Sequence, residues 1–226
     1  MDEMRAIDRS AFEYKKDGVV LFVILDFDGV FNPEYTSGTF GKAYFHPSKR
    51  DRVPNADYKA EVRISGSYRD PYRRREPKSY AIQWSKELVE NFSKLAADPR
   101  VQVVWLTTWR SEMAKATSRM NFQSAREMLY LPWGESPGEK YTQKFKSPAL
   151  TRFLAGVNSD EESAPAKMVW VDDRMFDPKE DFNTEIPQFA VGDGNSLLVA
   201  PNEQYGVSRE EWRMIEEFAS SALSMQ

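Results

Sequence analysis

Leu21-Phe22-Val23-Ile24-Leu25-Asp26-Phe27-Asp28-Gly29-Val30 is the stretch on which the fold turns. Apolar residues run unbroken from Val19 to Leu25 and stop at Asp26. A short apolar run, rich in β-branched residues and ended by a turn signal, reads as a strand buried on both faces. Two carboxylates follow at its carboxyl end, two residues apart, and Gly29 lets the chain turn away. In open α/β sheets, ligands lie just outside the carboxyl ends of the strands. Paired acids at that point suit a hard, oxygen-binding cation such as Mg2+. One of them could also attack phosphorus as a nucleophile. The plain alternative is an Asp-rich turn, since Asp and Gly are ordinary turn formers. The motif by itself leaves the two readings level.

The chain has 226 residues, which fits one α/β domain with an elaboration or two small domains. Hydrophobic residues make up 41% and aromatics 13%, enough for a substantial core. The net charge of −4 carries no global nucleic-acid signature. Cysteine is absent, which removes disulfides, thiolate catalysis and cysteine-ligated zinc or iron–sulfur sites and fits a reducing compartment. The single histidine, His46, excludes a multi-histidine metal site and reads as a loop residue. The opening Met1-Asp2-Glu3-Met4-Arg5 lacks the apolar core of a signal peptide. No apolar run is long enough to span a membrane. These features predict a soluble cytoplasmic protein.

Residues 1–18 read as a polar lead-in, loose or briefly helical, and 19–226 as the core domain. Residues 31–80 form an insert with no sustained helical period and β-like patches at Thr39–Phe45 and Ala60–Ser65. It holds 11 Lys/Arg against 6 Asp/Glu, a net of +5 that leaves −9 for the rest of the chain. Aromatics (Tyr44, Phe45, Tyr58, Tyr68, Tyr72) interleave with the charges, a composition able to hold phosphates and stack bases. A solvated loop whose charges only keep it soluble is the competing reading. Beyond it, Trp84, Leu88, Phe92 and Leu95 predict a helix over Ile82–Ala97, ended by Asp98-Pro99. Val101–Leu106 reads as a second buried strand, ending in Thr107 and Thr108, with a helix starting near Ser111. Met128–Leu131 reads as a short strand. Ser147-Pro148 reads as the cap and first residue of another helix. Met168–Val171 reads as a third buried strand, ending in Asp172-Asp173, and Ser196–Ala200 as the last. Ser208-Arg209-Glu210-Glu211 is a capping box that opens the final helix, with Trp212, Ile215, Phe218 and Ala219 on one face.

Three apolar strands thus end in Asp-x-Asp, Thr-Thr and Asp-Asp, and parallel strands joined by helical crossovers bring such ends to one edge of a sheet. With a Lys before the helix that leads into the third strand, the set resembles the haloacid dehalogenase-like superfamily in order and type. Detail such as Phe31-Asn32-Pro33, Leu106-Thr107-Thr108-Trp109, Trp170-Val171-Asp172-Asp173 and Gly206-Val207 resembles a small actinobacterial and phage branch associated with RNA-repair proteins. The resemblance covers about residues 19–220, outside most of the insert. It implies a Rossmann-like three-layer sandwich with a mainly parallel sheet and a small β-rich flap or cap after the first strand.

The resemblance also implies roles. Asp26 attacks phosphorus and carries the aspartyl-phosphate, and Asp28 protonates the leaving oxygen and then takes a proton from water. Thr107 binds phosphoryl oxygens, with Thr108 one residue away as the alternative. The lysine is Lys146, Lys144 or Lys140; Lys146 is preferred because it stands next to the helix start. Mg2+ is held by Asp26, Asp172, Asp173 and the Asp28 main-chain carbonyl. Val191-Gly192-Asp193-Gly194-Asn195 resembles another form of the fourth motif, but a short run precedes it and no clear helix follows. An insert of this size, by analogy, leaves the site open to large substrates, with Arg73, Arg74 and Arg75 at its edge. The expected activity is Mg2+-dependent hydrolysis of a phosphate monoester on a nucleotide or nucleic-acid end. A small-metabolite phosphatase and a non-catalytic phosphate- or nucleic-acid-binding module are the alternatives. No membrane partner is expected, and the sequence leaves oligomeric state open.

Overall fold

The computed structural model describes residues 5–6, 18–34, 41–54, 79–109, 112–131, 146–157, 166–174 and 194–224. In chain order the strands are β1 (Arg5–Ala6), β2 (Leu21–Leu25), β3 (Lys49–Pro54), β4 (Ser79–Trp84), β5 (Val101–Trp105), β6 (Leu129–Tyr130), β7 (Lys167–Val171) and β8 (Ser196–Val199). The helices are α1 (Lys86–Ala96), α2 (Met113–Met120), α3 (Lys146–Val157) and α4 (Arg209–Ser224). Six strands form a parallel sheet in the order β1-β6-β5-β2-β7-β8. Its central strand is β2, as the unbroken apolar run requires: Leu21 through Leu25 are all buried.

Alternation along the strands divides the core into two faces. Leu21, Val23, Leu25, Val103, Trp105, Val169 and Val171 pack with Leu88 and Phe92 of α1, Met113 and Ala116 of α2, and Ile215 and Ala219 of α4. Phe22, Ile24, Val104, Met168 and Trp170 pack on the other face with Leu150, Phe153 and Leu154 of α3. Helices on both faces of a parallel sheet make the three-layer α/β sandwich. Gln102 is the polar exception in β5; its amide donates to the carbonyls of Val103 (2.9 Å) and Glu127 (2.8 Å), so its burial is compensated.

The insert and the four residues after it contribute a two-stranded antiparallel sheet, β3 against β4, with Lys49 opposite Trp84 and Pro54 opposite Ser79. This corrects the helix expected from Ile82. Val53, Ile82 and Trp84 alternate with exposed or half-buried neighbours and enter the core as strand residues. The helix starts only after Ser85, whose hydroxyl accepts the Leu88 N–H at 3.3 Å. Residues 41–45 of the patch expected over Thr39–Phe45 form no strand; Thr39 and Phe40, like Ala60–Ser65, lie outside the described residues. Phe45 is buried beneath the Arg209 guanidinium, 4.5 Å from its ring centre, so it is no free stacking surface. Tyr44 packs on Tyr205 at 4.8 Å; Tyr58, Tyr68 and Tyr72 lie outside the described residues.

Other differences are small. Arg5–Ala6, read as loose or helical, adds a parallel edge strand beside β6. Lys146 is itself the first residue of α3, so the helix begins two residues before Pro148, and Ser147 lies inside it rather than at its cap. Ser111 lies outside the described residues, and α2 begins after Glu112. The capping box of α4 is present in full: Ser208 Oγ accepts the Glu211 N–H at 3.1 Å, and Glu211 Oε2 accepts the Ser208 N–H at 2.6 Å.

Register sets the site. Leu25 stands level with Trp105 on one side and Val171 on the other. The ladder runs one residue past the strands, with the Asp26 N–H donating to Val171 O at 2.9 Å and the Leu106 N–H to Leu25 O at 2.8 Å. Asp26, Thr107 and Asp172 therefore emerge together at the carboxyl edge.

Candidate active site

Asp26 and Asp172 leave the sheet at adjacent strand ends, and the first residue of α3 reaches between them. Lys146 Nζ donates to Asp26 Oδ2 and, at 2.8 Å, to Asp172 Oδ2. All three side chains are buried, Lys146 to 2% exposure and Asp172 to none. Buried charges persist only when paired and hydrogen-bonded, and this trio satisfies that rule. The remaining oxygens are also occupied: the Phe27 N–H donates to Asp26 Oδ1 at 2.6 Å and the Arg174 N–H to Asp172 Oδ1 at 3.1 Å. Burial works to neutralise Lys146, but the Asp172 and Asp26 carboxylates outweigh it and hold the ammonium charged well above the ordinary lysine range.

Asp28 faces a different neighbourhood. Its Oδ1 accepts the Asn32 amide N–H at 2.7 Å and its Oδ2 accepts the Trp109 indole N–H at 2.7 Å. Burial pushes its pKa up from 3.8 to about 6, and the Asp26 charge adds to the rise; the two hydrogen bonds work against it. Asn32 is held in turn by β4, whose Gln83 main-chain N–H donates to Asn32 Oδ1 at 2.9 Å. The Gln83 side chain donates to Pro33 O at 2.8 Å, tying the hairpin to the turn after β2. The Trp109 ring sits edge-on to Phe27 (4.9 Å) and Tyr80 (5.8 Å).

Oxygens of Asp26, Asp172 and Asp173 all lie within 4.8 Å of one another. Among the described residues, Asp173 Oδ1 is buried without a hydrogen-bond partner. Leaving a buried acceptor unsatisfied costs roughly 1–3 kcal/mol, and a cation beside it removes that cost. Burial, reinforced by the Asp26 and Asp172 charges, pushes the Asp173 carboxyl up to about 8. Burial likewise raises Asp172, to about 6 against the pull of Lys146. An all-oxygen donor set with surplus negative charge fits a hard divalent cation. Gly29 makes this crowding possible: its φ is +67°, and a Cβ there would overlap the Asp173 carboxyl group.

Of the expected site residues, Asp26, Asp28, Thr107, Lys146, Asp172 and Asp173 come together at one edge. Thr107 is buried and its Oγ1 accepts the Trp109 N–H at 3.4 Å, whereas Thr108 is exposed. Lys140, Lys144 and the Arg73-Arg74-Arg75 run lie outside the described residues. The competing Gly-Asp-Gly motif is partly visible: Asn195 O accepts the Met168 N–H at 2.8 Å at the amino end of β7, the opposite edge of the sheet. Val191, Gly192 and Asp193 lie outside the described residues. Sequence reasoning gave no role to Asn32, Gln83 or Trp109. Asn32 and Trp109 stood inside the quoted motifs, but nothing in their spacing shows that both turn toward one carboxyl group.

Among solved structures, the HAD domain of the effector protein Lem4 from Legionella pneumophila is similar to this chain at 16% identity and a TM-score of 0.46, covering 91% of this chain and 98% of that one. An inactive mutant of the same domain gives 19% identity and 0.45, over 91% and 97%. No curated protein matches the chain. The family described as the HAD domain in Swiss Army Knife RNA repair proteins matches residues 22–211, from β2 into α4 and through every residue of the site. With the parallel sheet and its acidic carboxyl edge, that match over most of the chain places the protein in this HAD family, within a superfamily of hydrolases and phosphatases.

Proposed function

We propose that the protein is a Mg2+-dependent phosphohydrolase that works through an aspartyl-phosphate, on a phosphate monoester of a nucleotide or nucleic-acid end. The observation that carries this reading is the buried Lys146 bridging Asp26 and Asp172 beside the unsatisfied Asp173 oxygen. A purely structural strand end has no use for three carboxylates and one ammonium at such a desolvation cost. A carboxylate of Asp26 forms a bond to phosphorus while the bond from phosphorus to the leaving oxygen breaks, and the Asp28 proton goes to that oxygen. Water then attacks phosphorus, Asp28 takes its proton, and the bond to Asp26 breaks to free phosphate. Lys146 compensates the charge of Asp26 and incoming phosphate, and Thr107 offers its hydroxyl to a phosphoryl oxygen. Asp26, Asp172 and Asp173 would hold Mg2+, which supplies further positive charge against the phosphoryl group.

The nucleic-acid part of the reading rests on the family's association with RNA repair and on the +5 insert, whose hairpin borders the Asp28 side of the site. The test is phosphate release, with and without Mg2+, from an aryl phosphate, mononucleotides and 5′- and 3′-phosphorylated oligonucleotides. Mg2+-dependent release that vanishes in Asp26→Asn supports the chemistry, and oligonucleotides turning over best supports the substrate class. Release that survives Asp26→Asn would overturn the mechanism. Mononucleotides outcompeting oligonucleotides would replace the substrate class with a small metabolite.

A further inference from the structure

The Asp28 carboxyl is surrounded in a way that the family resemblance does not specify. Its two hydrogen-bond partners among the described residues are the Asn32 amide and the Trp109 indole, each 2.7 Å away. The orientation of an asparagine amide has to be settled from its network. Here the Gln83 main-chain N–H takes Asn32 Oδ1 at 2.9 Å, so the group turned to Asp28 is the NH2. The indole N–H is a donor and nothing else. Both partners therefore give hydrogen bonds to Asp28 and neither can receive one.

We infer that Asn32 and Trp109 are positioning residues that aim the Asp28 proton at the leaving-group oxygen by offering this carboxyl only donors. The inference rests on the reading of Asp28 as the proton donor. A protonated Asp28 finds no acceptor in Asn32 or Trp109, so its O–H is left for the substrate. Bonds to both oxygens also fix the plane of the carboxyl. The two donors come from separate places: Asn32 from the turn after β2, and Trp109 from the segment after β5. Behind them stands the β3–β4 hairpin, through Gln83 on Asn32 and through Tyr80 at 5.8 Å from the Trp109 ring. The hairpin thereby props the acid, which gives the described part of the insert a task besides contact with substrate. Such support matters because a misplacement of about 1 Å can cost on the order of 10²-fold in rate.

The experiment compares kcat/KM on 4-nitrophenyl phosphate and phenyl phosphate for the parent, Trp109→Phe and Asn32→Leu. The two esters have nearly the same shape, but phenoxide needs a proton to leave far more than nitrophenoxide does. Trp109→Phe removes one donor and keeps a ring between Phe27 and Tyr80; Asn32→Leu removes the other with little change in volume. The inference predicts that the ratio of nitrophenyl to phenyl activity rises by about tenfold or more in each variant, within the range that general acid catalysis commands. A purely structural role slows both esters together and leaves the ratio alone, and that result would overturn the inference. Should one variant fail to fold, the ratio in the other decides. Hydrolysis that persists in Asp26→Asn would instead overturn the underlying reading of the site, and the inference with it.

Discussion

Asp26 and Asp28 stand two residues apart at the end of one strand, yet they belong to two different regions. Asp26 looks toward β7 and α3, into a cluster of charge: Lys146, Asp172 and Asp173. Asp28 looks toward the segment after β5 and the hairpin, and its hydrogen-bond partners among the described residues are neutral donors. Residues two apart on a strand share a face; Asp28 departs from Asp26 because β2 ends at Leu25 and the chain turns at once, with the Val30 and Phe31 N–H groups donating to Phe27 O. It teaches how one residue type serves two ends. Asp26 has the Lys146 ammonium against it, while Asp28, with no such partner, has its pKa raised by burial and by the Asp26 charge to about 6 and can carry a proton near neutrality.

The largest expected effect is on chemistry. Asp26→Asn should remove measurable phosphate release. Asp28→Asn should leave a remnant, lower by about 10²–10⁴-fold, the usual contribution of a positioned acid or base. Equal losses in the two variants, measured by steady-state kinetics on 4-nitrophenyl phosphate, would erase the distinction between the regions.

Next comes stability on the charged side. Lys146→Met leaves Asp26 and Asp172 buried without their counter-charge, and removing one partner of a buried pair costs roughly 3–5 kcal/mol. Urea titration followed by circular dichroism measures it. A change near zero would mean that Asp26 and Asp172 are not buried together around this ammonium.

Glycine substitutions should cost less. Gly29→Ala meets both a φ of +67° and the Asp173 carboxyl, so it should destabilise the fold by about 1–3 kcal/mol and weaken Mg2+ binding. Gly206→Ala, at φ +72° with Val30 O only 2.6 Å from the added Cβ, should destabilise without the Mg2+ effect. Calorimetric titration of both variants separates the two outcomes; equal Mg2+ affinities would break the link drawn between Gly29 and Asp173.

A further expected effect is the response to pH. Between 3.8 and about 8 the folded state keeps a proton on Asp173 that the unfolded chain has lost. Stability in EDTA should therefore fall as pH rises through that window, with Asp28 and Asp172 acting in the same direction below about 6. A cation takes over the proton's task, so Mg2+ should raise the melting temperature more at about pH 8 than at about pH 5. A Mg2+ effect independent of pH would argue against Asp173 as a ligand.

The charged region was the more legible of the two in the sequence. Apolar runs ended by Asp26, Thr107 and Asp172 carry their own placement, because parallel strands align their carboxyl ends. Lys146 is singled out in the sequence by its nearness to a helix start, and the structure sets it between Asp26 and Asp172. The neutral region was opaque because it is built from hydrogen bonds between segments far apart in sequence: Trp109 to Asp28 and Gln83 to Asn32 span 81 and 51 residues. The hairpin is hard to read from the sequence for a related reason. Trp84, Leu88 and Phe92 continue a helical period backward across Ser85, and the pairing of β4 with β3 together with the Ser85 cap starts the helix only there.

The most direct test of the account is to look for the phosphoryl group itself. Asp28→Asn, mixed with Mg2+ and 4-nitrophenyl phosphate, forms the intermediate without needing a proton for its leaving group but hydrolyses it slowly. Acid quenching, proteolysis and mass spectrometry then locate any added HPO3. The account predicts the group on Asp26 and its absence when Asp26 is Asn in the same background. Nitrophenol released by an Asp26-dependent reaction with no phosphoryl group on the protein, or with the group on another residue, would contradict it.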